Sequence, residues 1–385
     1  MIISKINRTA MKVKKIILSS CRFLRMQQIR WKYHRLYCSM NRHKKYDKRV
    51  ENAWMHKWKA LDKKVSIDSF RIFSPYIGPD LNIVPLETAA IYIDPCLNNV
   101  LYETLLEDKN LYDSLIDAEN LPKTILKNMN GFFYDGKYSF LGRNITEYDL
   151  TRLLAEYNAV VIKPTMATGS GKGVRVFYRI LDKFVEKSGL ALSVRMLNDL
   201  YGCNYVIQER MQQLEFMATF NSCSVNTIRC MTYRSVKDDK VRFCNAVLRI
   251  GGKGKDIDNA HAGGVFCGID AVGQLGSYVC NHLGQVCFSF NGIDFNNESR
   301  IIPDYEKVKA FAINIAERIP YMRLLALDIM IDVTGKPLLI EFNHKYFSYW
   351  FFQFTNGTAF GEYTDEVIDY AINQRNQNPL KAYYV

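Results

Sequence analysis

Three oxygen-bearing side chains mark the chemistry open to this sequence. Asp328 and Glu341 stand thirteen residues apart in LDIMIDVTGKPLLIEFN, and Asn343 follows two positions after Glu341. The segment reads as two strands joined by a turn at 334–336. Glu341 and Asn343 then share one face, and the hairpin brings Asp328 opposite it. Both carboxylates sit inside apolar runs, where a charge needs a partner. Hard oxygen donors on rigid neighbouring strands suit Mg²⁺, which takes few protein carboxylates and completes its shell with phosphate oxygens. A surface hairpin with outward polar residues is the plainer alternative, and the apolar flanks argue against it.

A second feature points to phosphate. TMATGSGKG, residues 165–173, follows the strand NAVVIK, which ends at Lys163. Small residues let backbone N–H groups approach an anion closely. The loop lacks the GxxxxGK[ST] spacing of a P-loop, and a strand follows it where a P-loop has a helix. By itself a flexible hairpin turn would have the same composition.

The elements that must position these groups are legible around them. VRVFYR and YVIQER read as strands, with ALSVRMLNDL helical between them. NTIRCMTYRS and VRFCNAVLRIG are two longer strands across a polar turn at 236–240, and a Gly- and Asp-rich loop occupies 251–264. Pro303 opens a helix reaching about Arg318, and a last helix covers about Glu362 to Asn373. Upstream, LPKTIL is a short strand and GFFYDGKYSF turns at its glycines. FRIFSPYIG and AIYIDP read as strands punctuated by Pro75, Gly78, Pro79 and Pro85, and a helix is expected from about Asn98 to Ile116.

The 385 residues are 48% hydrophobic and 23% charged, a globular composition. The net charge of +12 is uneven. Residues 1–64 hold 19 Lys and Arg against 3 acidic residues, leaving 32 basic and 36 acidic in the rest, a net of −4. This arm lacks Pro and Gly and is expected to be helical, with Phe23, Met26 (or Gln27), Arg30 and His34 on a mixed, weakly amphipathic face. Either it lies on anionic lipid or a partner, or it is a solvated basic helix docked on its own protein. The ten cysteines form no CxxC pair and match no common zinc spacing, so they read as reduced thiols. No apolar run approaches the length of a bilayer span. The apolar stretch near the start, residues 16–18, is too short for a secretory signal and Arg22 and Arg25 follow at once, so a cytoplasmic protein is expected, peripheral at most to the inner face of the membrane.

VVIKP with its glycine loop, YVIQERM, and LDIMID before LLIEFN stand in the order that resembles ATP-grasp enzymes, and the spacing of the two acidic residues is similar to that in D-alanine:D-alanine ligases. SVNTIRCMTYR followed by AVLRIGGKGKDIDNAHAGGVFCGID resembles, more specifically, the sugar-transfer-associated ATP-grasp family. The likeness runs from about Ile67 to about Tyr370 and leaves the arm uncovered. It implies an α+β ATP-grasp fold, two subdomains gripping ATP, after a small α/β pre-ATP-grasp domain and the basic helical arm. The expected boundaries are 1–64 for the arm, 65–120 for the pre-ATP-grasp domain, 121–210 for the small lid subdomain and 211–385 for the large one.

The resemblance also implies roles. Lys109 and Lys163 would meet the nucleotide phosphates, and the loop with Thr168, Gly169, Ser170, Gly171 and Gly173 would close over them. Gln208, Glu209 and Met211 would line adenine, with Glu215 on the ribose. Asp328, Glu341 and Asn343 would hold two Mg²⁺. Arg229, Arg249 and Asn259 would steady an acyl-phosphate or acidic substrate, with His261, Gly263 and Gly264 ending the same loop. Ala326 replaces an arginine of the D-alanine:D-alanine ligases, and His344-Lys-Tyr-Phe replaces their TxPG turn, so no D-alanine specificity carries over; His261 and His344 read as lining residues. The implied function is ATP-dependent joining of a carboxylate to an amine, one of them on a sugar or lipid-linked sugar, in cell-surface polysaccharide synthesis. A sugar or small-molecule kinase on the same site, or a nucleotide-binding scaffold for a glycosyltransferase complex, stays open. No nucleic-acid partner is expected.

Overall fold

The computed structural model describes residues 2–40, 44–99, 102–166, 171–256, 258, 260, 263–345 and 347–377, with side chains from Ile17 onward apart from 104, 105, 376 and 377. The chain divides into two compact units. Residues 1–100 and 358–385 form one, and residues 101–357 the other.

The first unit is helical. α1 spans Ile2–Ser39, α2 Lys48–Lys59 and α3 Asp68–Ile77, and the final helix is Thr364–Gln377. Asp47 caps α2 by accepting from the Arg49 N–H. Trp54 and Trp58, one turn apart on α2, are fully buried, and their indole N–H groups donate to Ile83 O (2.9 Å) and Leu81 O (3.1 Å). The two upstream segments expected as strands are helices: 68–77 is α3, and 86–97 is a continuous helical run. The alternation of apolar letters in FRIFSPYI misleads, because Phe70 and Phe73 lie three apart on the buried helical face while Ser69 and Ser74 are buried through hydrogen bonds. The helix expected from Asn98 to Ile116 is instead broken into short turns at Glu103–Glu107, Lys109–Leu111 and Tyr112–Leu115.

The second unit holds two seven-stranded antiparallel sheets. The first contains β1 (Thr124–Met129), β2 (Phe132–Asp135), β3 (Phe140–Gly142), β4 (Ala159–Pro164), β5 (Arg175–Ile180), β6 (Lys183–Val185) and β7 (Tyr205–Glu209), in the order β3-β2-β1-β7-β4-β5-β6. Helices Glu147–Leu153 and Val194–Tyr201 accompany it. The first starts with a reciprocal capping box between Thr146 and Asp149, the second with Ser193 accepting from the Met196 N–H. Their core includes Leu150, Leu197, Ile162 and Ile207.

The second sheet contains β8 (Ile228–Arg234), β9 (Val241–Ile250), β10 (Val265–Ile269), β11 (Leu275–Cys280), β12 (Val286–Cys287), β15 (Leu324–Ile331) and β16 (Pro337–Asn343), in the order β12-β11-β10-β9-β8-β15-β16. The intervening β13 (Ser289–Phe290) and β14 (Ile293–Asp294) pair only with each other. Helix Tyr305–Glu317 covers one face, packing Val308, Ala312 and Ile315 into a core with Leu248, Leu327 and Ile329. The two-residue period then decides what the other face carries. Ile228 and Cys230, Leu248 and Ile250, Leu327 and Ile329 all point into that core. Arg229, Arg249 and Asp328, the residues between them, therefore project together from the opposite face. Helix Tyr349–Thr355 packs on this side, with Phe351 edge-on to Phe266 at 4.6 Å.

That helix reaches the sheet because β10 offers a glycine. A Cβ on Gly268 would lie 2.7 Å from Thr355 O. Gly268→Ala is expected to lower unfolding stability by about 1–3 kcal/mol through this overlap; chemical denaturation checks it, and an unchanged midpoint would show that the helix is not seated by that contact.

Candidate active site

The site begins as one row across three strands. Asp328 on β15 stands opposite Arg229 on β8 and opposite Glu341 on β16, so these side chains share a face without any long connection. The turn that makes the hairpin is built on Asp332, whose Oδ1 accepts from the backbone N–H groups of Thr334 and Lys336. A bulge just past the Asp328–Glu341 pair shifts the register, so Ile329 faces Leu339 and Ile340 is left over. Asn343 lies one pleat beyond Glu341, its Nδ2 at 3.5 Å from Asp328 Oδ2 and donating to Ala326 O at 3.3 Å.

Buried charge is concentrated on Asp328. Arg229 donates to both of its oxygens at 2.7 Å, and Arg249 donates to Oδ2 at 2.8 Å. Arg249 also pairs with Asp258 at 3.1 Å, and Asp258 accepts from the Thr227 backbone N–H and hydroxyl. Burial pushes the Asp328 carboxyl up, but the two guanidiniums outweigh it and hold the group down at about 2. Burial likewise opposes the charge on Arg249, and Asp258 and Asp328 overcome it, raising its affinity for the proton. Asp258 goes the other way: burial raises its carboxyl despite Arg249. The ring of Phe351 stands 5.3 Å from the Arg229 guanidinium, joining the helix Tyr349–Thr355 to this network.

Lysines gather on the other side of the row. Lys109 Nζ is 2.9 Å from Glu341 Oε1. Lys163, at the end of β4, has its ammonium lowered to about 8 by burial and by repulsion from Lys109, with Glu341 opposing. Two cations near one carboxylate leave positive charge for an anionic ligand. A small cavity beside them is lined by Lys109, Leu121, Thr124, Gln208, Leu339 and Ile340, which combines an apolar slot with an amide and an ammonium. Gln208 Nε2 donates to Thr124 Oγ1 at 3.3 Å and to Pro122 O at 3.4 Å.

The expected site residues divide accordingly. Asp328, Glu341, Asn343, Arg229, Arg249, Lys109 and Lys163 are brought together, and Gln208 joins them through the cavity. Glu209 and Met211 are partly buried, and Glu215 is exposed at the start of the one-turn helix Glu215–Ala218. Gly171 and Gly173 hold positive φ of 68° and 76°, and a Cβ on Gly173 would meet Pro164 Cγ at 2.7 Å, so the loop's return toward β5 needs glycine there. Thr168, Gly169, Ser170, Asn259 and His261 lie outside the described residues. His344 is buried, with its ring held at about 4 by burial and by Lys345, and is thus neutral near pH 7.

Two groups in the site escaped the sequence reading. Asp258 is the buried acid that completes the arginine pair. Lys127, on β1, is buried against Asp113 (2.7 Å to both oxygens) and Asn110 O (3.0 Å), with its Nζ 3.3 Å from the Tyr138 ring centre. A lysine inside the apolar strand TILKNM was the available signal, since an ammonium there must have a buried acid beside it.

The fit to divalent metal can be judged by counting lone pairs. Among the described residues, Asp328 Oδ2 accepts from both arginines and from Asn343 Nδ2, and Oδ1 accepts from Arg229 Nε alone, which leaves one lone pair on Oδ1. Glu341 accepts from Lys109 and is one-third exposed. Two carboxylates and one amide oxygen on adjoining strands are a hard-oxygen set of the kind Mg²⁺ takes. Among the described residues no group of three His, Cys, Asp or Glu could hold a metal on its own.

Two antiparallel sheets flanking lysines, a carboxylate pair and a glycine loop define the ATP-grasp class. The chain belongs to the sugar-transfer associated ATP-grasp family, which matches residues 89–367. Solved structures to which the chain is similar include the ATP-grasp ligase PsnB bound to a phosphomimetic variant of its minimal precursor, Mg and ADP (14% identity, TM-score 0.39, covering 71% of this chain and 61% of that one). The D-alanine-D-alanine ligase from Coxiella burnetii (12%, 0.39, 73% and 62%) and the ADP complex of the N5-carboxyaminoimidazole ribonucleotide synthetase purK (15%, 0.35, 64% and 46%) are also similar. The chain spans less than two-thirds of the length of each of these three. No curated protein matches it.

Two measurements test the charge network. Because the Asp328 pKa is depressed on folding, its contribution is present above the ordinary aspartate pKa near ~4 and is lost as pH falls toward about 2, worth on the order of 2 kcal/mol. Asp328→Asn is expected to unfold more readily at pH 6 and to lose part of the acid dependence between pH 4 and 2; thermal melts across that range check it, and a parallel pH profile would exclude the assignment. Lys163→Ala is expected to weaken nucleotide binding by about tenfold or more in calorimetry, whereas unaltered affinity would remove this lysine from the phosphate site.

Proposed function

We propose that this chain is an ADP-forming ligase that joins a carboxylate to an amine through an acyl-phosphate, with a sugar as one partner in cell-surface polysaccharide synthesis. The observation that supports it most is the single row Arg229–Asp328–Glu341, which sets arginines on one side of a carboxylate pair and lysines on the other. A division of that kind suits a reaction with two anionic regions, a triphosphate and an activated acid. The substrate class comes from the family's association with sugar transfer and rests on that alone.

The residues divide the work. Lys109 and Lys163 bind the phosphates, while the slot beside Gln208, Leu339 and Ile340 takes the base. Asp328, Glu341 and Asn343 would hold Mg²⁺, which when bound supplies charge neutralisation at the transferring phosphoryl group. A carboxylate oxygen of the substrate attacks the γ-phosphorus, the bond to the β-phosphate oxygen breaks and ADP leaves. Arg229 and Arg249 steady the acyl-phosphate. A neutral amine then attacks the acyl carbon, phosphate departs, and the nitrogen loses its proton to solvent or to the leaving phosphate. Fixed cations do this work without reorganising, and no protein nucleophile is called for.

ADP release should require an acid and an amine together, with a product mass equal to their sum less water. Paired sugar acids, amino sugars and amino acids, read by phosphate release and mass spectrometry, form the test. ADP release to a sugar hydroxyl without any acid would make the protein a kinase. Glu341→Gln should reduce turnover by about 10²–10³-fold with its melting midpoint retained. Asp328 is the poorer probe for activity because two buried arginines depend on it.

A further inference from the structure

α1 is held by one face only. From Ile17 onward its buried or half-buried positions are Leu18, Arg22, Met26, Ile29, Arg30, Tyr33, Leu36 and Tyr37, all on one side, with Met40 buried just past its end. Arg30 on the same side pairs with Asp62 at 2.8 Å, and Tyr37 bonds Ser69 and Glu87, so the helix is fixed to its unit. Of the mixed face expected through Phe23, Met26 (or Gln27), Arg30 and His34, Met26 and Arg30 are half-buried and Phe23, Gln27 and His34 are exposed.

The opposite side carries a separate apolar stripe. Ile17, Leu24 and Trp31 are 55%, 61% and 61% exposed and stand seven residues apart. Seven residues fall about 20° short of two helical turns, so the three side chains form one line about 180° to 140° from Met26. Phe23, at 54% exposed, lies nearer the seam and is not part of it. Arg35 rests over the Trp31 ring at 4.8 Å, and Arg25 and Lys32 are exposed beside the stripe. α1 contains ten Lys and Arg and no acidic residue, and the first acid in the chain is Asp47.

We propose that the Ile17–Leu24–Trp31 face of α1 docks on an anionic lipid surface. The helix would lie in the interface plane, its apolar stripe in the headgroup boundary and its cations against the lipid phosphates. An amphipathic tryptophan suits that depth. A second copy is a poor occupant, since pairing two such helices would oppose basic surfaces with no acid between them. No described helix is long and apolar enough to cross a membrane, so contact through one face is the geometry available to α1.

The test is flotation of the full-length protein, without nucleotide, with vesicles of phosphatidylcholine alone or mixed with phosphatidylglycerol. Binding is expected only with phosphatidylglycerol, with release in about 0.5 M salt. It should be accompanied by a blue shift in tryptophan emission that Trp31→Phe removes, because Trp54 and Trp58 are already buried and Trp350 is half-buried against Phe266 and Phe351, whereas Trp31 is 61% exposed. Leu24→Glu with Trp31→Glu should reduce binding about tenfold or more, with the melting midpoint little changed because both side chains are 61% exposed. Arg25→Gln with Arg35→Gln should weaken binding at low salt. Failure of the full-length protein to float with phosphatidylglycerol, or flotation of the Glu variant like the parent, would overturn the proposal. So would lipid-free self-association in sedimentation that the Glu variant abolishes. Phosphate release in the ligase assay is read separately, so either idea can fall alone.

Discussion

Everything at the centre of the second unit depends on keeping one carboxylate charged in a dry place. Asp328 is 3% exposed, and an ion so placed is tolerable only if both oxygens are matched. Arg229 and Arg249 supply the match, which places two further ions in the interior. Asp258 then answers Arg249, and Thr227 answers Asp258. The chain of obligations runs across β8, β9, β15 and the 251–264 loop, and among the described residues it leaves Arg249 Nε without a hydrogen bond. The sheet is therefore held in register by charge as well as by backbone bonds. A slip of one residue on any of these strands would send its ion into the apolar core beneath Tyr305–Glu317.

The same arrangement prepares the site before any ligand arrives. Cations stand against Asp328 and Glu341 where a metal and phosphates would bring charge of their own. Arg229 and Arg249 are oriented by a buried acid, and Lys109 by a partly exposed one. The two halves thus differ in stiffness: the arginine side is locked by desolvated ion pairs, and the lysine side is held by a single ion pair with a partly exposed carboxylate. In the proposed reaction the looser side would take the nucleotide and the rigid one would hold the short-lived acyl-phosphate.

Much of this was legible in the letters. The hairpin between Asp328 and Glu341 followed from period-two patterning and a polar turn, and β4, β5, β7, β8 and β9 followed from the same signal, whereas β10 to β14 and the order of strands within each sheet did not. The partners of Asp328 were legible only as candidate arginines, because the sequence gives no distance between positions 229, 249 and 328. The first unit was read least well. FRIFSPYI satisfies a strand pattern and a helical one together, and the deciding facts are tertiary: buried serines bonded to a neighbouring tyrosine and to a backbone carbonyl. Lys127 shows the reverse case, in which a local oddity was visible and its acid, Asp113, was not adjacent in sequence.

The short segment 109–115 touches both sheets of its unit. Asn110 donates to Asn128 O, Lys127 grips Asn110 O and Asp113, and the Lys109 N–H donates to Thr165 O, all on the first sheet. From the same few residues Tyr112 stacks on Phe342 at 4.4 Å, and Lys109 reaches Glu341, both on the second. The segment therefore acts as a spacer block between two plates. It contributes Lys109, Tyr112 and Asp113 to the wall of the slot beside Gln208 and Ile340, and parting the plates across it would break either the Tyr112 stack and the Lys109 ion pair or the bonds that Asn110 and Asp113 make on its other side.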